Sequence, residues 1–176
     1  PSLDALRKYA EAERFDAQGD FPRAITALEE ALELDPSFAM AYRKLAVVLN
    51  NSGGSLARQV EAATRAYELR NRLTERESYL ATAYYHAMVT LDLEGQIQAY
   101  RAVLDRFPDD RTASNNIAIA LMARGRLDQA VAAMERAATG AAASASARSN
   151  LPGYLALAGR TQEAEEALET LATQHP

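Results

Sequence analysis

The chain has 176 residues, 48% of them apolar, a formal net charge of -5 and no cysteine. Without cysteine there can be no disulfide, thiolate nucleophile or thiolate metal site, and interspersed Arg and Glu leave no face basic enough to collect the phosphates of a nucleic acid. No stretch approaches the roughly 20 apolar residues of a membrane span, so no direct membrane insertion is expected, and the compartment stays open.

Ala, Leu, Glu, Arg and Gln dominate, and prolines are few and well separated, which predicts an all-helical chain. In chain order, a first unit over residues 5–38 carries Ala12 and Phe15 on one helix stripe, a turn at Gly19, an N-cap at Asp20, and then Ala24, Leu28 and Ala31. The spacing of four and then three residues is one face of a helix, and Pro36 lies beyond its end. A second unit over residues 39–74 repeats the pattern as Leu45, Ala46 and Leu49, then Gly54, Gln59, Ala63 and Ala66, with Ser55 as cap. Its turn, NNSGGS, holds an extra residue.

The third unit, residues 75–110, opens on a capping box of Thr74 with Glu77 and continues through Ala83, Tyr84 and Ala87. It lacks a turn Gly and offers Leu91 and Asp92 before Gln96, Tyr100 and Val103, so less regular stacking is expected there. The fourth, residues 111–144, follows an Asp110 cap with Ile117, Ala118 and Leu121, then Gly125, Ala130, Met134 and Ala137. In the fifth, residues 145–176, Pro152 stands where a small residue belongs. A helix resuming near Ser144 and bending at Pro152 is preferred to one restarting at Ser149 or Asn150. Gly159, Ala164, Leu168 and Leu171 complete the series.

The anchor positions 24, 59, 96, 130 and 164 are 35, 37, 34 and 34 residues apart. A period near 34 is two short helices and two turns. Such helices cannot bury their apolar stripes alone and must stack, so the expected architecture is all-α, a single solenoid of about five antiparallel helix pairs over residues 1–176. Pro1 without an initiator Met or signal peptide points to a piece of a larger protein.

The small residue, turn Gly, Ala, bulky residue, Ala and closing Pro of Ala12, Gly19, Ala24, Leu28, Ala31 and Pro36 resemble the tetratricopeptide repeat. The likeness spans residues 2–176, although the family Trp is replaced by Lys8, Tyr42, Leu80, Ser114 and Arg148. It implies a right-handed superhelical solenoid whose first helices line a concave wall and whose function is to hold a protein or peptide. A narrower stretch, Leu73 to Asp109, is similar to repeats of bacterial multidomain proteins, including serine/threonine kinases and transcriptional regulators.

The expected groove runs from Leu6, Tyr9, Glu13 and Asp16 to Met40, Arg43, Lys44, Val47 and Asn50, then to Ser78, Ala81, Thr82, Tyr85 and Met88. It continues through Thr112, Asn115, Asn116, Ile119 and Met122 and ends at Ser149 and Asn150. Asn115 and Asn116 each offer donors and an acceptor to a peptide main chain, and Tyr85, Met88, Ile119 and Met122 supply an apolar floor. Some members of the resembled family grip a terminal carboxylate with paired basic and amide groups. Asn116 and Arg43 fit such places, but Ala81 and Tyr85 stand where basic and amide groups are required, which disfavours that ligand.

The histidines are His86 and His175 alone, and no Gly-rich phosphate loop is present, so no catalytic, metal or cofactor role is assigned. The alternative to peptide binding is self-association within a larger regulatory protein. Ala164, Leu168 and Leu171 lack a following polar helix to cover them and are expected to meet further repeats or a second copy.

Overall fold

The computed structural model describes residues 1–139 and 145–174, and the expected helix start at Ser144 and the side chain of His175 lie outside them. Among the described residues the stripes become ten α-helices, and no strand is present. The chain divides between Asp92 and Leu93 into two compact units.

In the first unit α1 (Leu3–Ala17) packs on α2 (Phe21–Leu34), α2 on α3 (Ala39–Asn51), α3 on α4 (Leu56–Glu68) and α4 on α5 (Glu75–Tyr85). Their shared core places Ala5, Ala12, Ala24, Ala27 and Ala31 beside Leu28, Leu45 and Leu49. The small residues let backbones approach while the larger ones fill the grooves. Leu28 and Leu49 are fully buried, and removing each from water stabilises the unit by about 1.5–3 kcal/mol. In the second unit α6 (Leu93–Arg106), α7 (Arg111–Ala123), α8 (Leu127–Ala138), α9 (Ala145–Leu157) and α10 (Thr161–Gln174) stack in sequence. Ile97, Val103, Val131 and Met134 form its buried interior.

Helix starts follow local chemistry. Asp20 and Asp110 accept from the Arg23 and Ala113 amides at 3.3 and 2.8 Å. Both arms of the expected capping box at Thr74 and Glu77 are made. Ser55 stands at the N-cap of α4 without making the side-chain bond. Pro36 and Pro108 lie just past α2 and α6, where no ladder bond is lost.

Four turns share one closing hydrogen bond. The amides of Asp20, Gly54, Arg126 and Arg160 donate to the carbonyls of Phe15, Leu49, Leu121 and Leu155 at 2.8–2.9 Å, each spanning five residues. The residue before each donor is a glycine with φ between 67° and 77°, namely Gly19, Gly53, Gly125 and Gly159. This is the helix stop in which a left-handed residue turns the chain and satisfies orphan carbonyls. Gly53, rather than Gly54, therefore takes the turn position. Gly54 lies over Leu49, where an added Cβ would come within 3.1 Å of its side chain and carbonyl.

Counted from the left-handed residues 19, 53, 91, 125 and 159, the intervals are 34, 38, 34 and 34. The irregularity thus falls between Gly53 and Leu91. There α5 passes into a π-helical turn, His86–Thr90, and Leu91 adopts the left-handed conformation at φ 53°. A short 3₁₀ turn, Arg70–Arg72, precedes α5.

Helix α9 runs unbroken through Pro152, whose ring is buried, so the helix does not restart at Ser149 or Asn150, which are both exposed inside it. Burial of the ring offsets the missing ladder bond.

Candidate functional site

Each first helix brings part of the expected groove to its own unit's surface. In the first unit α1 and α3 place Lys44 between Glu13 and Asp16, with Nζ 2.8 and 2.7 Å from the two carboxylates. Burial lowers the Lys44 pKa, but the two carboxylates outweigh it and the net direction is upward. Tyr9 packs its ring 5.2 Å from that of Phe38, and burial, aided by Glu13, pushes its hydroxyl up to about 12 against the opposing charges of Arg43 and Lys44. Arg43 is half-buried with its Nε unpartnered, Val47 is half-buried, and Met40 lines a shallow cleft with Leu6 and Phe38.

On α5, Tyr85 stacks on Tyr67 of α4 with ring centroids 4.1 Å apart and planes at 11°. Met88, in the π-helical turn, packs against the first unit's core. One Tyr85 face and much of Met88 are thus spent on helix packing. His86 Nδ1 lies 3.0 Å from Thr90 Oγ1 within the same turn, an ordinary packed imidazole.

The second unit holds an open cleft of about 380 Å³ between α7 and α9. Thr112, Asn115 and Asn116, all expected from the helical stripe, line it together with Arg111, Ala145 and Ser146. Asp110 caps α7 and so fixes where this row begins. Asn115 Nδ2 donates to Asn116 Oδ1 at 3.1 Å. Asn115 Oδ1 is buried without a hydrogen-bond partner. Whichever way that amide is turned against Asn116, one of its hydrogen-bonding functions stays open, and a buried open function costs about 1–3 kcal/mol until something satisfies it. Further along the stripe Ile119 is 47% exposed and Met122 half-buried. The expected end of the groove at Ser149 and Asn150 lies outside this cleft, which Ala145 and Ser146 line instead.

Sequence reasoning missed Arg111 and Ser146. Arg111 precedes Asn115 by four residues, so the helical period could have found it. Ser146 follows a stretch whose helix start composition does not mark.

Among the described residues no group of three or more His, Cys, Asp or Glu side chains could hold a metal ion, and no helix is long and apolar enough to cross a membrane. The cleft offers two amides, two hydroxyls and a guanidinium for hydrogen bonding.

Fold and surface together define a helical-repeat protein. A TPR repeat family model matches residues 12–53, and a tetratricopeptide repeat model matches residues 97–148. No curated protein matches the chain. A thermophilic TPR protein of Thermus thermophilus aligns over 98% of this chain and 92% of its own, with TM-score 0.78 and 18% identity. MamA from Desulfovibrio magneticus RS-1 aligns over 98% and 95%, with TM-score 0.62 and 16% identity. A tetratricopeptide repeat protein from Parabacteroides merdae aligns over 99% and 68%, with TM-score 0.58 and 15% identity. The chain is a tetratricopeptide-repeat protein, with the all-α repeat fold that the family implies. Such repeats serve in general as protein-interaction scaffolds and are typically non-catalytic.

Proposed function

We propose that this protein is a non-catalytic scaffold that holds an extended peptide segment of a protein partner on its first helices. The observation that carries this reading is the cleft between α7 and α9, where half-buried Asn115 keeps its amide oxygen buried and without a hydrogen-bond partner. An extended main chain presents an amide and a carbonyl at every residue and can supply the missing partner, as Asn116, Thr112 and Ser146 add further contacts at the rim. Ile119 and Met122 follow on the same stripe and provide apolar surface for a ligand side chain.

The first unit offers a peptide-contacting surface of its own through Tyr9, Met40, Arg43, Val47, Tyr85 and Met88. Of these, Arg43 has the strongest claim, because its Nε is buried and unpaired. Lys44 is already matched by Glu13 and Asp16, so it shapes the wall without calling for an anionic ligand.

The test is selection of short unstructured peptides from a random library against the chain, followed by calorimetric titration of the best binder. Asn115→Ala and Asn116→Ala are each expected to weaken binding by about tenfold, the loss of roughly one well-made hydrogen bond at a desolvated site. Selected peptides that bind both variants as tightly as the parent chain contradict the reading.

A further inference from the structure

A second cleft, of about 390 Å³, lies on the second-helix side of the second unit, between α6 and α8 and over α7. Ile117 and Leu121 form its apolar floor, Arg101 of α6 and Arg136 of α8 stand on opposite walls, and Asp105 and Gln129 complete the rim. Neither guanidinium has an ion-pair or hydrogen-bond partner among the described residues. Two arginines against one carboxylate leave the cleft net positive in a chain whose formal charge is -5.

The complementary surface lies on α10. That helix turns Ala164 inward against Val131 and Leu155. One turn further along the same stripe Leu168 is 55% exposed, with Glu165 and Glu169 beside it, three residues before and one after. Glu165 and Glu169 are exposed and have no partner among the described residues, whereas Glu163 is bound to Arg160 and Glu166 accepts from Gln162. The arrangement is an apolar side chain beside a row of two unpaired carboxylates one helix turn apart, and the cleft is an apolar floor between two unpaired guanidiniums.

We infer that the α6/α8 cleft is a docking site for α10 of a second copy of this chain, with Leu168 on Ile117 and Leu121 and with Glu165 and Glu169 meeting Arg101 and Arg136. The two surfaces are different patches of one molecule, so the contact is heterologous and propagates head to tail into open chains or a ring. Each ion pair is bidentate in chemistry and sits at an apolar surface, where a guanidinium binds a carboxylate best. This surface is separate from the α7/α9 cleft and does not depend on its role.

Sedimentation equilibrium of the 176-residue chain tests the inference. The weight-average mass is expected to rise with concentration. Arg101→Glu with Arg136→Glu in one variant, and Glu165→Arg with Glu169→Arg in another, should each stay monomeric, and an equimolar mixture of the two should regain association because both charge pairs are restored in reverse. All four positions lie outside the fully buried core, and unchanged helical circular dichroism confirms folding. A chain that stays monomeric up to roughly millimolar concentration, the weakest affinity a specific contact is expected to show, overturns the inference. So does a mixture that stays monomeric, or association that either variant retains. Asn116→Ala should leave the self-association unchanged, so failure here and failure of the peptide reading are separately visible.

Discussion

The Asp92 amide donates to the His86 carbonyl at 3.0 Å, closing a turn one residue wider than the turns closed by Asp20, Gly54, Arg126 and Arg160. The wider ring is the signature of the π-helical turn, which absorbs residues that a regular repeat does not contain. Leu91 then takes the place of the missing glycine, 77% exposed and at φ 53°. A side chain in the left-handed region costs about 1–2 kcal/mol.

Leu91→Gly should therefore stabilise the protein by about 0.5–1 kcal/mol, the relieved strain less the extra freedom that glycine gives the unfolded chain. Gly125→Ala should cost about 1–2 kcal/mol, although nothing lies within 4 Å of the new Cβ. Urea unfolding midpoints check both. No gain on Leu91→Gly, or no loss on Gly125→Ala, contradicts this reading of the turn.

Gln59 stands where Ala24, Ala130 and Ala164 stand in other repeats, yet it is only 6% exposed. Its Nε2 donates to the Gly54 carbonyl at 2.9 Å and thereby ties α4 to the wider second-unit turn. Replacing it by the repeat's usual Ala should destabilise the protein by about 1–3 kcal/mol, because a carbonyl loses its donor and a void opens. Gln59→Ala with unchanged or increased stability in equilibrium unfolding refutes a structural role for the amide.

Alkaline pH should loosen the first unit. The Tyr9 hydroxyl is raised from 10.0 to about 12 by burial and by Glu13, so the folded chain holds that proton more tightly than the unfolded chain. The associated stability is fully present below pH 10 and is lost as pH rises through 12. Lys44, raised above its ordinary 10.5 by Asp16 and Glu13, adds a loss of the same sign at high pH. Tyr9→Phe should flatten the fall of the urea midpoint between pH 10 and 12, and an identical fall in the variant excludes Tyr9 as its source.

The repeat is legible in the sequence because its chemistry is local. A stripe spaced four and then three, a turn glycine and an N-cap are each set within one helix turn, and Ala24, Ala130 and Ala164 are all buried at equivalent places. The second-unit turn falls one residue earlier than its sequence suggests because NNSGGS offers two adjacent glycines, and only backbone geometry tells Gly53 from Gly54. The π-helical turn is invisible for a related reason: His86–Thr90 has no composition that separates it from α-helix.

The candidate site is partly legible. Thr112, Asn115 and Asn116 share the stripe opposite the packed one, and they do line a single cleft. What faces that stripe is set by α9, so Ser146 could not be assigned from α7 alone. Tyr85 illustrates the converse, since its position on the stripe says nothing of the Tyr67 ring that α4 lays against it.

Where a peptide binds is read from backbone amide shifts by nuclear magnetic resonance as a library-selected peptide is titrated into the isotopically labelled chain. The largest shifts are expected on Arg111, Thr112, Asn115, Asn116 and Ser146, continuing along α7 to Ile119 and Met122. Shifts confined to the second helices α6, α8 and α10, with the α7/α9 cleft undisturbed, would contradict the proposed binding site.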